Sequence, residues 1–205
     1  MNQNVKITRQ QAAEEAKMLE KVFDVVRFLE GDFFEQMQKV ILLHPHAVIL
    51  REKDLPDDAY EVVAEKILDM CREEDVNCFL QSRITIAKSL GCRRIHLSIP
   101  VLESMKEEER RNLRKDFQEI SVSCHSMEDM KTAIKNGATQ IILGTIFETE
   151  CKKGLKGKGL EFVREICKAC PVPVYAIGGI NMERLQQVMD AGAAGGCMMA
   201  GCMRM

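Results

Sequence analysis

The sequence predicts an α/β protein built as a (β/α)₈ TIM barrel, and three observations predict it. Short β-branched runs alternate with longer amphipathic stretches, as parallel strands joined by crossover helices require. Eight such runs can be counted. The 205 residues, 46% hydrophobic and 29% charged, can bury a sizeable core without disulfides and sit near the lower length limit of the fold.

Taken in order, the predicted strands are Val22–Phe28, Ala47–Leu50, Cys78–Gln81, Arg94–Leu97, Ile120–Ser123, Gln140–Leu143, Val172–Ile177 and Gly195–Met199. The helical patterns between them are Asp32–Leu42, Asp57–Glu73, Ser82–Leu90, Leu102–Lys115, Ser126–Asn136, Leu160–Lys168 and Met182–Ala191. Asp57 and Ser126 read as N-caps, and Gly91, Gly137 and Gly192 fall where helices stop. The first strand has an alternative, since Met18–Phe28 also reads as one continuous helix. After the eighth strand only Gly201–Met205 remain, too few for the usual closing helix. A spare amphipathic segment, Arg9–Lys21, precedes the first strand, and we expect it to cover the seam between strands eight and one. The division is therefore an N-terminal helical extension, residues 1–21, and a barrel, residues 22–205. The seam argument also leaves room for a homodimer.

Composition narrows the partners. Twenty-nine Lys and Arg against 31 Asp and Glu give a formal charge of −2, with no basic excess for nucleic acid. No apolar run approaches the ~20 residues of a membrane span, and the opening segment lacks signal-peptide order, so a cytoplasmic location is expected. Nine cysteines include one tight pair, Cys167 and Cys170. One such pair without neighbouring histidines reads as thiols in a reduced cytosol.

In a parallel barrel the active site lies at the C-terminal ends of the strands, so candidate residues are those at strand exits. Gly178 and Gly179 follow the seventh strand and lead into Asn181 and a helix, a turn whose N–H groups can meet an anion. Gly195–Gly201 gives the eighth exit a similar character, and together the two exits suggest a phosphate group. Arg51 and Lys53 leave the second strand one residue apart, which places both cations on one face. Lys152, Lys153, Lys156 and Lys158 lie in a glycine-punctuated loop that reads as a cationic lid or as an unused flexible loop. The Lys106–Lys115 segment reads as a solvated helix face.

Four histidines divide by position. His44 and His46 fall at the wrong end of the barrel, and His96, inside the fourth strand, reads as a satisfied interior or surface residue. His125 lies just beyond the fifth strand at the start of a helix. There an imidazole can reach the mouth and exchange protons near neutral pH. Ser126 capping the helix accounts for the local polarity equally well.

Read in order, five stretches resemble the thiamine-phosphate synthase/TenI superfamily: Ile49–Leu55, Ser121–Ser126, Gly144–Gly154, Pro173–Ile180 and Ala191–Ala193. The resemblance covers roughly residues 22–205 and implies thiamine biosynthesis, with phosphorylated thiazole and pyrimidine compounds as ligands. In the synthase branch it implies magnesium and a departing diphosphate held by Arg51, Lys53 and Lys152. That branch carries Asn-Asp at the third exit and an Asp after the fourth strand. This chain has Gln81-Ser82 and Ser98-Ile-Pro-Val101, which contain no acid. Glu52, Asp54 or Glu103 could substitute, but no motif places them at a metal.

The TenI-like thiazole tautomerase branch moves a proton within a thiazole carboxylate phosphate and needs no metal or other cofactor. There the resemblance implies that His125 is the acid/base. Gly178, Gly179, Ala200 and Gly201 would hold the phosphate, Arg51, Lys53 and Lys152 would attract the carboxylate, and Ser123 and Thr149 would add hydrogen bonds. The Phe147–Gly154 stretch also looks more like the TenI version of the sixth loop. The favoured expectation is therefore the metal-free isomerase. The synthase and a non-catalytic phosphate-binding relative remain the alternatives.

Overall fold

The computed structural model describes residues 22–26, 33–149, 154 and 156–198. Eight parallel strands form a closed ring: β1 Val22–Val26, β2 Ala47–Leu50, β3 Asn77–Gln81, β4 Arg94–Ser98, β5 Glu119–Cys124, β6 Gln140–Gly144, β7 Val174–Ile177 and β8 Gly195–Met198. Each strand pairs with its sequence neighbour, and the register of Phe23 with Cys197 closes β1 on β8. The helical alternative for the first segment therefore gives way to a strand.

Helices α1 Phe33–Ile41, α2 Asp57–Glu73, α3 Ile84–Ser89, α4 Ile99–Ser104, α5 Glu107–Asp116, α6 Met127–Lys135, α7 Gly159–Ala169 and α8 Met182–Asp190 provide the crossovers. Strands covered on both faces carry near-continuous apolar runs. Ala47–Leu50 is buried at every position. Two apolar sets result. The larger lies between ring and helices, with Tyr60, Ile67, Leu80, Ile95, Leu97 and Phe117 among its buried members. The smaller fills the ring: Ala47, Ile49, Phe79, Ile142, Tyr175 and Cys197. At the N-terminal end His46 stacks on Tyr175 with ring centroids 5.7 Å apart, so this histidine is structural.

Sequence and structure part company at two places. The single helix expected over Leu102–Lys115 is two, because Met105 and Lys106 take extended backbone angles. Glu109 restarts the helix by accepting a 2.7 Å hydrogen bond from the Lys106 N–H. The exposed polar face expected there is present, with Leu113 as the buried anchor of α5. At the start of α2, Pro56 rather than Asp57 holds the cap position, and Asp57 instead pairs with Arg83. Ser126 does cap α6, accepting from the Asp129 N–H at 3.0 Å. Gly91, Gly137 and Gly192 adopt the positive φ that ends a helix. Arg9–Lys21, its proposed seam position, the residues after the eighth strand and the division at residue 21 lie outside the described residues.

Candidate active site

The C-terminal rim is polar on the side of β2 to β5. Arg51 leaves β2 half-buried, Glu52 turns inward to burial and Lys53 is exposed. Gln81 ends β3, and its side-chain Oε1 is buried with no hydrogen-bond partner among the described residues. Its register partner on β4 is His96. His96 is 5% exposed, with Nδ1 at 2.9 Å from the Ser121 hydroxyl and Nε2 at 2.8 Å from that of Ser123. A neutral imidazole donates through one nitrogen and accepts through the other. Burial, aided by the nearby Arg51 and Lys53 cations, pushes the His96 pKa down to about 3. The structure thus brings Arg51, Lys53, His96 and Ser123 into one electrostatic neighbourhood.

This has a consequence for acid stability. The unfolded chain protonates His96 near 6.5, whereas the native chain resists down to about 3. The stabilisation is complete above pH 6.5 and is lost as pH falls from 6.5 towards 3. Between pH 7 and 4.5 this one group costs on the order of 2–3 kcal/mol. Urea titrations at both pH values check it: wild type should lose that much more stability than His96→Gln.

His125 stands at the β5 exit, with its side chain 52% exposed and Nδ1 at 3.7 Å from Asp129 Oδ2. The same carboxylate oxygen accepts the His125 backbone N–H at 2.6 Å. Helical spacing produces this pair, since Ser126 caps α6 and returns Asp129 over residue 125. The result is an accessible imidazole with a carboxylate oxygen 3.7 Å from its Nδ1.

The β6 exit joins His125 to the glycine turn. Thr145 is buried, and its carbonyl accepts from the Lys158 N–H at 3.0 Å, while the Lys158 ammonium donates to the His125 carbonyl. On the other side the N–H groups of Ile146 and Phe147 donate to Ile177 and Gly178 carbonyls at 2.9 and 3.0 Å. Lys158 itself is therefore tied to the rim through both its backbone and its ammonium. Thr149 is half-buried in this segment. Lys152 and Lys153 lie outside the described residues.

Gly178 and Gly179 have φ of +103° and +65°. Packing demands them as much as ligand approach does. A Cβ on Gly178 would stand 2.4 Å from Thr145 Cγ2, and one on Gly179 would stand 2.8 Å from the Glu148 carbonyl oxygen. The turn feeds the N-terminus of α8, capped by Asn181, where backbone N–H groups favour an anion. Arg184 adds a cation that the sequence reading missed: its guanidinium donates to the Gly179 carbonyl at 2.8 Å and lies 4.7 Å over the Phe147 ring. The only signal for it was its place three residues after the cap. Ala200 and Gly201 lie outside the described residues.

Other candidates fall away from the rim. Glu103 lines a surface groove with Arg110, Arg114 and Lys135 on the outer helices. Burial raises the thiol pKa of Cys167 to about 11 and also raises that of Cys170, which keeps both protonated and poor nucleophiles.

A family model described as thiamine monophosphate synthase matches residues 19–202. The chain belongs to the thiamine monophosphate synthase (TMP-TENI) family. It is 30% identical over 161 residues to a thiamine-phosphate synthase of Coprothermobacter proteolyticus, covering 78% of this chain and 75% of that one. A second, from Pyrococcus abyssi, is 32% identical over 149 residues, 73% and 70% of the two chains. Among solved structures, a thiamine phosphate pyrophosphorylase from Pyrococcus furiosus superposes with a TM-score of 0.77 at 24% identity, over 91% of this chain and 89% of that one. That likeness speaks to the fold. Family membership places the chain in thiamine biosynthesis. No helix among the described residues is long and apolar enough to cross a membrane.

At the third and fourth exits the residues present do not match the magnesium carboxylates of the family's synthase pattern, while Glu52 is a buried carboxylate beside Arg51. Gln81 and Ser82 occupy the β3 exit, and Ser98 passes directly into α4 at the β4 exit. Both departures sit at true strand ends, so they are not slips of register. Magnesium bound beside phosphate ordinarily takes a carboxylate or two.

Proposed function

We propose that this member of the family is a metal-independent thiazole tautomerase acting on a thiazole carboxylate phosphate. The observation that carries the reading is the pairing of His125 with Asp129 on a rim whose third and fourth exits offer Gln81, Ser82 and Ser98 in place of acids. A tautomerisation expels no diphosphate. It needs one group that removes a proton from one position and returns it to another.

Each rim element has a part in this reading. Gly178, Gly179 and the N-terminus of α8 receive the phosphate, with Ala200 and Gly201 as its further holders. Arg51 and Lys53, with Lys152, attract the carboxylate, and Ser123 and Thr149 supply hydrogen bonds. His125 takes the proton, Asp129 steadies the imidazolium, and the proton is delivered to the second carbon as the ring becomes aromatic. Neutral His96 fixes the Ser123 hydroxyl without adding charge. No cofactor enters.

The names of the relatives favour a second reading, thiamine-phosphate synthase, which joins hydroxymethylpyrimidine diphosphate to thiazole phosphate. Retention of Arg51 and Lys53 is consistent with it. The deciding experiment incubates purified protein separately with the thiazole carboxylate phosphate and with the two synthase precursors, each with magnesium and with EDTA. We expect EDTA-insensitive isomerisation and no thiamine phosphate. Magnesium-dependent thiamine phosphate without isomerisation would establish the second reading.

A further inference from the structure

Tyr60 is wholly buried on the first turn of α2, yet its hydroxyl reaches the barrel mouth. It donates to the Leu50 carbonyl at 3.2 Å and accepts the Gln81 N–H at 3.3 Å. Those residues end β2 and β3, and the last register pair between the strands is Leu50 with Leu80. In a parallel ladder a carbonyl can pair directly with the N–H one residue beyond its register partner. Leu50 O and Gln81 N are such a pair, and a phenolic oxygen bridges them. The ring is held from outside by Arg83, whose guanidinium carbon lies 5.2 Å from its centroid. Arg83 is itself fixed by the Leu55 carbonyl at 2.7 Å and by Asp57.

We propose that Tyr60 is a positioning residue: its hydroxyl, inserted between the ends of β2 and β3, sets the separation at which Arg51 and Gln81 enter the mouth. Arg51 follows Leu50 directly, and Gln81 is the residue whose N–H the hydroxyl accepts. A shift of the bridge therefore moves both with no intervening joint. The importance of these two for ligand binding rests on the functional reading above; the bridge itself does not.

The test compares wild type, Tyr60→Phe, Arg51→Gln and the double variant. Backbone amide NMR shifts and hydrogen exchange report the strand ends, and calorimetry reports binding of the aromatic thiazole carboxylate phosphate, whose carboxylate is the group assigned to Arg51. Phenylalanine keeps the ring packing and removes the bridge. We expect a folded Tyr60→Phe protein with at least about tenfold faster exchange at Gln81, shifted Arg51 and Gln81 amides, and about tenfold weaker binding. In the Arg51→Gln background the same change should weaken binding by much less, because the two act through one contact. Unchanged Arg51 and Gln81 amides would overturn the proposal, as would fully additive losses. If wild type binds no thiazole carboxylate phosphate, the functional reading fails, and the NMR arm alone decides the bridge. Should Tyr60→Phe fail to fold, Arg83→Gln, which loosens the ring from outside, must reproduce the Arg51 and Gln81 shifts or the proposal falls.

Discussion

His125→Ala is expected to lower turnover by about 10²–10⁴-fold while binding of thiazole phosphate stays near the wild-type value. The split follows from the geometry. The imidazole is half exposed and held through Asp129, so its removal empties no core site. The groups assigned to the phosphate and carboxylate lie on other elements: Gly178 and Gly179 beyond β7, Arg51 beyond β2. Turnover assays and calorimetry on the same preparation separate the two effects. Parallel loss of turnover and binding would make His125 a ligand contact, and unchanged turnover would remove it from the chemistry. Asp129→Asn should fall between wild type and His125→Ala, since it keeps the imidazole and withdraws only the anion that supports it.

Gly178→Ala should be the most damaging small substitution at the rim. An L-residue at φ +103° is strained by about 1–3 kcal/mol, and the new methyl would meet Thr145 Cγ2 at 2.4 Å and Thr145 Cα at 3.0 Å. Thr145 is buried and has little room to withdraw, so overpacking adds about 1–3 kcal/mol. The expected total is about 2–6 kcal/mol by urea unfolding, with loss of phosphate binding in any protein that still folds. Gly91→Ala is the control. Its φ is +66°, but a Cβ there meets nothing within 4 Å, so only the backbone cost of about 1 kcal/mol applies. Equal losses in the two variants would show that the close packing of the β6 exit on the β7 turn contributes little.

What the sequence made legible follows from how strongly each feature is written locally. Eight short apolar runs and the glycines at 91, 137 and 192 are local signals, and the parallel ring with its helix ends agrees with them. The break at Met105 was hidden because no glycine or proline interrupts Leu102–Lys115. Only a side chain reaching back, Glu109 to the Lys106 N–H, reveals where one helix stops and the next begins.

The placement of Arg51, His125, Gly178 and Gly179 at the rim was readable because strand exits can be found from strand ends. Tyr60 and Arg184 were not. Each acts on a residue of a different element through one polar atom at the end of a long side chain, and nothing local distinguishes them from ordinary helix positions. His96 was readable only as a satisfied residue of the fourth strand, interior or surface, and the structure makes it interior. Its closeness to Arg51 and Lys53 depends on the curvature of the ring and has no trace in spacing along the chain.

The most direct measurement converts the thiazole carboxylate phosphate in D₂O with EDTA present and follows deuterium in the product by mass spectrometry. A solvent-exposed imidazole exchanges its proton with water between abstraction and delivery. The product should therefore carry solvent deuterium at one carbon, at a rate indifferent to EDTA and abolished in His125→Ala. Conversion that stops when EDTA is added, or that proceeds undiminished without His125, would contradict proton transfer by this histidine as the work of the barrel mouth.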